Sequence, residues 1–170
     1  MKNVFDFVQN ASPNQVDFIV RLPFDERKKS RLKTQSECGQ ALGFMLPRGH
    51  ILRDGTMLKT EDGAIVLVKA ANETVSVVET TNPHLLLRAA YHLGNRHVPL
   101  QIEPTSLRYQ HDHVLDDMVV GLGLTVSVQS SPFEPEDGAY APGTGHAHGH
   151  DHNHNQGHSH NHSHENHHEH

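Results

Sequence analysis

The fold of this chain is decided by residues 74–129, which read TVSVVETTNPHLLLRAAYHLGNRHVPLQIEPTSLRYQHDHVLDDMVVGLGLTVSVQ. The stretch opens with a Val- and Thr-rich run, Thr74–Thr80, whose β-branched residues favour a strand. Asn82-Pro83 then predicts a helix start, with Asn as the N-cap and Pro at the first helical position. The helix is expected over His84–Leu93 and to stop at Gly94, because a glycine permits the left-handed residue that turns the chain.

The second half of this stretch repeats the alternation of strand and helix. Strands are predicted at Val98–Ile102, Leu107–Gln110 and Leu124–Gln129, and a helix capped by Asp112 is predicted to end within Gly121–Gly123. The order β-α-β-β-α-β is that of a ferredoxin-like unit. Two helices on one face of the sheet bury that face and are expected to leave the other face available.

The residues before this stretch predict a small all-β domain. Strands are expected at Val16–Val20, Leu32–Gln35, Ala41–Met45 and Ala64–Val68, with Asp-Gly turns at Asp54-Gly55 and Asp62-Gly63. The predicted fold class is therefore α+β. We expect a β-rich domain over residues 1–72, a ferredoxin-like domain over 73–135, and a disordered His-rich tail over 136–170.

Charge divides the chain unevenly. All 14 Lys and Arg lie at or before Arg108, where 11 acids leave a net charge of +3, whereas the nine acids from Tyr109 onward have no basic partner and give −9. Such a C-terminal part attracts cations and repels phosphate, which argues against nucleic acid. The basic cluster Arg27, Lys28, Lys29, Arg31 and Lys33 is interpreted as a solvated strand or loop.

Cysteine content and hydropathy indicate the compartment. The single cysteine, Cys38, excludes an intrachain disulfide framework. No apolar run approaches the ~18–20 residues that span a bilayer, and the N-terminus lacks the apolar core of a signal peptide. We therefore expect a cytoplasmic protein that does not bind membranes.

The C-terminus carries the clearest chemical signal. Of the 18 histidines, 12 lie in the last 25 residues: His146, His148, His150, His152, His154, His158, His160, His162, His164, His167, His168 and His170. Imidazole suits Ni, Cu, Zn and Co and is largely neutral near pH 7. The small polar spacers cannot bury apolar area, so the segment is expected to be disordered and to fold only around metal. An expression tag is the alternative, but tags are usually unbroken His runs, whereas this segment is interleaved.

Three further histidines are candidate ligands. His97 follows the helix end at Gly94, and a homodimer two-fold axis would place two copies opposite each other. A lone histidine in a capping turn is the alternative. His111 and His113 would share an ion if they lay on a strand, where positions two apart face the same way. If Asp112 caps a helix, the two rings diverge.

No constellation for catalysis is present in the sequence. There is no G-x-x-x-x-G-K-[ST] nucleotide loop, no H-E-x-x-H helix, and no evident histidine partner for Cys38. We therefore expect that this chain is not an enzyme.

At Gly94-Asn95-Arg96-His97 and the helix start Asp112-His113-Val114-Leu115, the chain resembles the UreE family of urease accessory proteins, the nickel metallochaperones. The resemblance covers essentially the whole chain. It implies a homodimer whose C-terminal domains pack together, with His97 from each subunit binding one Ni²⁺ at the interface. His111 and His113 match additional metal-binding histidines of some members.

The resemblance also implies partners and a function. It implies that residues 1–72 are a partner- or peptide-binding domain, because this domain is similar to a chaperone peptide-binding fold. The partners would be the urease accessory GTPase and, with it, the complex of apo-urease and the other accessory proteins. The function would be nickel delivery to the urease active site. A His-rich metal buffer, storage or detoxification protein is the alternative, because composition does not separate Ni²⁺ from Zn²⁺, Cu²⁺ or Co²⁺.

Overall fold

Two sheets and three α-helices make up the part of the chain that the structure, a computed structural model, describes, namely residues 1–8 and 13–138. The elements in chain order are β1 (Lys2–Phe7), β2 (Val16–Leu22), α1 (Phe24–Arg27), β3 (Arg31–Gln35), β4 (Ala41–Met45), β5 (Met57–Thr60), β6 (Ile65–Ala70), β7 (Asn72–Glu79), α2 (Pro83–Gly94), β8 (Gln101–Glu103), β9 (Ser106–Gln110), α3 (His113–Gly121) and β10 (Val126–Pro132). The predicted α+β class is confirmed.

The first sheet has six strands in the order β2-β6-β5-β1-β4-β3. Its centre is β1, which pairs in parallel with β4 and antiparallel with β5. Val4 of β1 is fully buried and packs in a core with Leu42, Phe44, Leu58 and Val66. The predicted strands and the Asp62-Gly63 turn all occur in this sheet. The sequence analysis missed β1, and for β5 it gave only the turn that joins this strand to β6.

The second sheet has four strands in the order β10-β7-β9-β8, and every neighbouring pair is antiparallel. In order of appearance within this unit the strands stand 4-1-3-2, which is the ferredoxin-like arrangement that the sequence predicted. Leu86, Ala89 and Leu93 of α2 and Val119 of α3 are buried in one core with Leu107 and Tyr109 of β9. The helices therefore cover one face of the sheet, as expected.

The opposite face is not fully available, which corrects the expectation from the sequence. Val75 and Val77 of β7 are 0% and 2% exposed and pack with Phe24 of α1 and Phe133, just after β10. The rings of Phe24 and Phe133 meet edge to face with centroids 5.6 Å apart. The short helix of the first unit thus covers part of the second sheet.

A buried arginine joins the two units at this contact. Arg27 is 0% exposed, and its guanidinium donates to the carbonyls of Leu22 and Leu52, both at 3.1 Å, to the carbonyl of Phe133 and to the Glu134 carboxylate. The interpretation of the basic cluster as solvated is therefore wrong for Arg27. A charged group of this kind is buried only when its donors find partners, and here they do.

Strand β8 is shorter than predicted, beginning at Gln101 rather than Val98. Pro99 has no N–H with which to join a ladder, so the preceding segment stays outside the sheet. The consequence is an irregular stretch, residues 98–100, directly after the predicted metal-binding histidine.

Candidate metal centre

The end of α2 forms an exposed tip that carries His97. The helix begins as predicted, since the Asn82 side chain accepts hydrogen bonds from the N–H groups of His84 and Leu85 at 3.0 and 3.3 Å. At the other end, the N–H groups of Arg96 and His97 donate to the carbonyls of Leu93 and Gly94 at 3.0 and 2.9 Å. These bonds hold the tip as a continuation of the helix.

The residue that reverses the chain is His97 itself, and this corrects the role given to Gly94. His97 has a φ of 56°, the one positive φ of a non-glycine residue in the described chain, whereas Gly94 is still helical. Histidine is among the residue types enriched in the left-handed region. The imidazole is therefore attached to the turning residue, and it is solvent-exposed.

An open groove of about 390 Å³ lies beside the tip. His97, Val98 and Pro99 line one part of it, Phe24 and Lys28 another, and residues 136–138 a third. The Glu136 N–H donates to the Leu100 carbonyl at 2.7 Å, which fixes the last described segment beside the tip. The described chain thus ends in the same groove that holds His97.

Residues 136–138 are also tied to the first unit. Arg53 donates to the Pro135 carbonyl at 2.7 Å and pairs with Asp137, and it lies 3.5 Å from Glu134. Together with Arg27, this side chain fixes the exit toward the C-terminus. Sequence reasoning missed both arginines, because their partners lie more than 80 residues away.

His111 and His113 are separated by the start of α3. The Asp112 carboxylate caps this helix by accepting from the N–H groups of Val114 and Leu115 at 2.8 and 3.3 Å. His111 therefore follows strand β9, while His113 is the first residue of the helix. This is the arrangement in which the sequence analysis expected the two rings to diverge.

His111 belongs to a polar cluster that the sequence analysis did not find. Its Nδ1 lies 3.0 Å from the Ser76 hydroxyl and 3.1 Å from one carboxylate oxygen of Asp116. The hydroxyl of Tyr109 donates to the other oxygen of Asp116 at 2.7 Å. Burial, reinforced by this carboxylate, raises the pKa of the Tyr109 hydroxyl well above its usual range. The sequence did contain a signal for this cluster. Tyr109 and His111 are two residues apart, and positions two apart along a strand direction face the same side.

Within residues 1–8 and 13–138, no three His, Cys, Asp or Glu side chains are grouped so as to hold a metal ion. The twelve histidines from His146 to His170 lie outside the described residues. His50 is also exposed, and its ring lies 5.2 Å from that of Phe7; it is not one of the residues that line the groove beside His97. In the described part of the chain, no helix is both long and apolar enough to cross a membrane.

The geometry so far defines a two-unit α+β protein with a ferredoxin-like second sheet and an exposed histidine tip. Comparison with known protein families narrows this class to one family. The family described as UreE urease accessory protein matches with its N-terminal domain over residues 6–71 and with its C-terminal domain over residues 73–170. The chain therefore belongs to the UreE family of urease accessory proteins, which gives it a role as a chaperone in urease maturation.

Individual relatives agree with this assignment. The urease accessory protein UreE of Saccharophagus degradans is 56% identical over 138 residues, covering 81% of this chain and 82% of its own. The UreE proteins of Pseudomonas putida and Citrobacter koseri are 61% and 56% identical, covering 71% and 76% of this chain and 74% and 86% of their own.

Proposed function

We propose that this chain is a nickel metallochaperone that binds Ni²⁺ as cargo and delivers it to the urease apoprotein complex in the cytoplasm. The observation that carries the proposal is His97, an exposed imidazole on a hydrogen-bonded left-handed turn. Its ring has no hydrogen bond or ion pair within the described residues, so its nitrogens are available to a ligand.

A homodimer would complete the site. One imidazole does not hold a divalent ion firmly, whereas a two-fold axis near the tip would place two copies of His97 opposite each other. Large exposed apolar side chains on the second unit support such a contact. Leu87 and Tyr91, one turn apart on α2, are 70% and 65% exposed. Apolar surface of this kind is typical of association sites.

The chemistry required is ligand exchange and not a reaction on a substrate. An exposed site with few protein ligands leaves coordination positions open, so the ligands of a partner can enter before the imidazoles leave. The histidines after Gly145 would raise the local concentration of metal near His97 by attachment to the same chain. On this proposal the chain is not an enzyme, and Zn²⁺, Cu²⁺ or Co²⁺ would compete for the same nitrogens, Cu²⁺ most strongly.

The proposed partners follow from the same function. We assign residues 73–135 to metal binding and dimerisation, residues 136–170 to metal collection, and residues 1–72 to docking. The docking partners would be the urease accessory GTPase and the complex of apo-urease with the other accessory proteins. Neither nucleic acid nor membrane has a part in this proposal.

A metal buffer, storage or detoxification protein is the second candidate, and the observation that favours it is the density of histidines in the last 25 residues. The two functions differ in what residues 144–170 do. A carrier without them should still activate urease, with reduced metal capacity. A buffer without them should lose its function.

The decisive experiment is nickel titration combined with sedimentation on the full-length protein, His97→Ala and His50→Ala. We expect His97→Ala to remove the tightest nickel site of the dimer. His50→Ala, which removes an exposed histidine that does not line the groove beside His97, should leave that site intact. The proposal fails if the tightest binding is the same in His97→Ala as in the unsubstituted protein.

A further inference from the structure

An open groove of about 310 Å³ lies on the outer face of the first sheet, beside its edge strand β3. Arg31 is paired with Met45 and Lys33 with Gly43, and residues directly opposite each other share a face of the sheet. Met1 lines the same groove, and its Cε is so close to Gly43 that a Cβ there would lie 3.3 Å away. Met1 and Met45 are 63% and 39% exposed. The groove therefore combines two exposed thioether side chains with two basic ones.

The two basic side chains of the groove are not neutralised by any carboxylate of the described residues. Arg31 donates only to the backbone carbonyls of Ser30 and Leu46, at 3.3 and 3.0 Å. Lys33 has neither a hydrogen bond nor an ion pair in the described part of the chain. Both residues are exposed. This face of the sheet thus presents two adjacent positive charges that are available to an acidic ligand.

Strand β3 is the last strand of its sheet, and half of its backbone groups point away from β4. The Leu46 N–H donates to the Ser30 carbonyl at 2.8 Å, so the even-numbered positions of this strand are those that bond to β4. Bonding positions alternate along an antiparallel pair. The N–H and C=O groups of Arg31, Lys33 and Gln35 therefore point outward from the sheet.

These outward groups have no hydrogen-bond partner among the described residues. The edge is closed only at the next position of the same series, where the Glu37 N–H donates to the Ile19 carbonyl of β2 at 2.8 Å. An unpaired edge can accept a further strand, and basic side chains on it oppose pairing with a second basic edge. The open part of β3 is therefore suited to a strand of opposite charge.

We propose that the edge of β3 and the adjoining groove bind an extended acidic segment of a partner protein, which pairs with β3 as an additional strand. Carboxylates at alternate positions of the segment face Arg31 and Lys33. The residue between them packs beside Leu32, which is partly buried against the core. In strand addition the backbone bonds supply affinity and the alternating side chains supply specificity. The inference rests on the docking role proposed for residues 1–72, and it names the surface and the chemistry of the partner.

The test is an NMR titration of the full-length, metal-free, ¹⁵N-labelled protein with the acetylated and amidated peptide Glu-Val-Glu-Val-Glu-Val. Amide hydrogen exchange is measured residue by residue with and without the peptide. We expect the N–H groups of Arg31, Lys33 and Gln35 to exchange more slowly in its presence. Those of Leu32 and Thr34, which already bond to β4, should change little. The peptide Lys-Val-Lys-Val-Lys-Val, of equal length and opposite charge, should not bind.

A charge reversal on β3 tests the basic side chains. We expect Lys33→Glu to weaken binding of the acidic peptide by about fivefold or more, since it replaces an exposed attraction with a repulsion. Lys59→Glu is the matched control, because it makes the same charge change at an exposed position of β5 that does not line the groove. It should leave binding unchanged. Lys33→Gln, which removes the charge without reversing it, serves if Lys33→Glu does not fold.

The inference is overturned if the peptide slows exchange at odd and even positions of β3 alike, if both peptides bind equally, or if Lys59→Glu weakens binding as much as Lys33→Glu. It is also overturned if the outward N–H groups are protected without peptide and lose that protection on dilution or on removal of residues 144–170. The occupant would then be a second copy or the C-terminus of the same chain.

Nickel titration of Lys33→Glu separates this result from the proposed metal-carrying function. The tightest nickel site, which we attribute to His97, should be unchanged in this variant, because Lys33 does not line the groove beside His97. A loss of that site in Lys33→Glu would contradict a docking role for β3 that is separate from metal binding.

Discussion

The Arg27 guanidinium pairs with the Glu134 carboxylate, 107 residues further along the chain, and this pair ties the first sheet to the segment that follows the second. Arg27 also donates to three backbone carbonyls, those of Leu22, Leu52 and Phe133. One side chain therefore bonds to four groups in three separate segments of the chain. This fully buried charged side chain therefore connects the two units.

We expect Arg27→Ala to lower the free energy of unfolding by about 3–5 kcal/mol, because it leaves the buried partners of the guanidinium without a donor. Arg21→Ala is the control. Arg21 also pairs with a glutamate, Glu37, but its side chain is 59% exposed, so the loss should be about 1 kcal/mol or less. Urea denaturation of the metal-free proteins measures both values. Equal losses would mean that Arg27 is not the buried connection described here.

The left-handed conformation of His97 predicts a difference between two substitutions that remove the same imidazole. His97→Gly should be more stable than His97→Ala by about 1–2 kcal/mol, since alanine pays the steric cost of a positive φ and glycine does not. Both variants should lose the proposed nickel ligand equally. Denaturation of the metal-free proteins tests the first statement and nickel titration the second. If both variants are equally stable, residue 97 is not left-handed in solution.

Two glycines near the C-terminal ends of the long helices, Gly94 and Gly123, should respond in opposite directions to alanine. Gly94 is helical, and a Cβ there meets no atom within 4 Å, so Gly94→Ala should stabilise the protein by about 0.4–1 kcal/mol. Gly123 has equally open surroundings but a φ of 90°, so Gly123→Ala should destabilise it by about 1–2 kcal/mol. Thermal unfolding of the two variants measures the difference. If Gly94→Ala is destabilised instead, Gly94 and not His97 is the residue that reverses the chain.

Asp62 should titrate well below an ordinary aspartate. Hydrogen bonds from Lys2 and Thr60 lower its pKa from 3.8 to about 2. A lowered folded-state pKa means that its contribution to stability is complete above pH 4 and is lost as the pH falls toward 2. Lys2→Met should raise the pKa of Asp62 toward its ordinary value, as measured by NMR titration of the carboxyl carbon. An unchanged pKa in this variant would exclude Lys2 as the main cause.

The second unit was predictable because its signals are local. Asn82 and Asp112 cap their helices as expected, since each accepts from N–H groups two and three residues further on. The β7, β9 and β10 segments are rich in residues that favour strands. The short connection Pro104-Thr105 joins β8 to β9 as an antiparallel pair. Four strands and two helices in this order leave few arrangements other than the ferredoxin-like one.

The parts that were missed depend on long-range contacts or on a single backbone angle. Strand β1 is paired with residues about 40 and 55 positions away, and Lys2–Phe7 alone has little to distinguish it. Arg27 lies in a basic run that resembles a solvated loop until Glu134 is placed beside it. At the tip, Gly94 and His97 both permit a left-handed turn, and the hydrogen bonds of Arg96 and His97 decide between them.

The groove shared by His97 and Gly138 sets a limit on distance along the chain. A trans polypeptide advances at most about 3.6 Å per residue, so His146, the first C-terminal histidine, can be no more than about 29 Å from Gly138, and His170 no more than about 115 Å. Chain length therefore limits how far the first of these histidines can lie from the groove that holds His97. The maximum distance for the last histidine is about four times larger, which is long enough to reach a second protein.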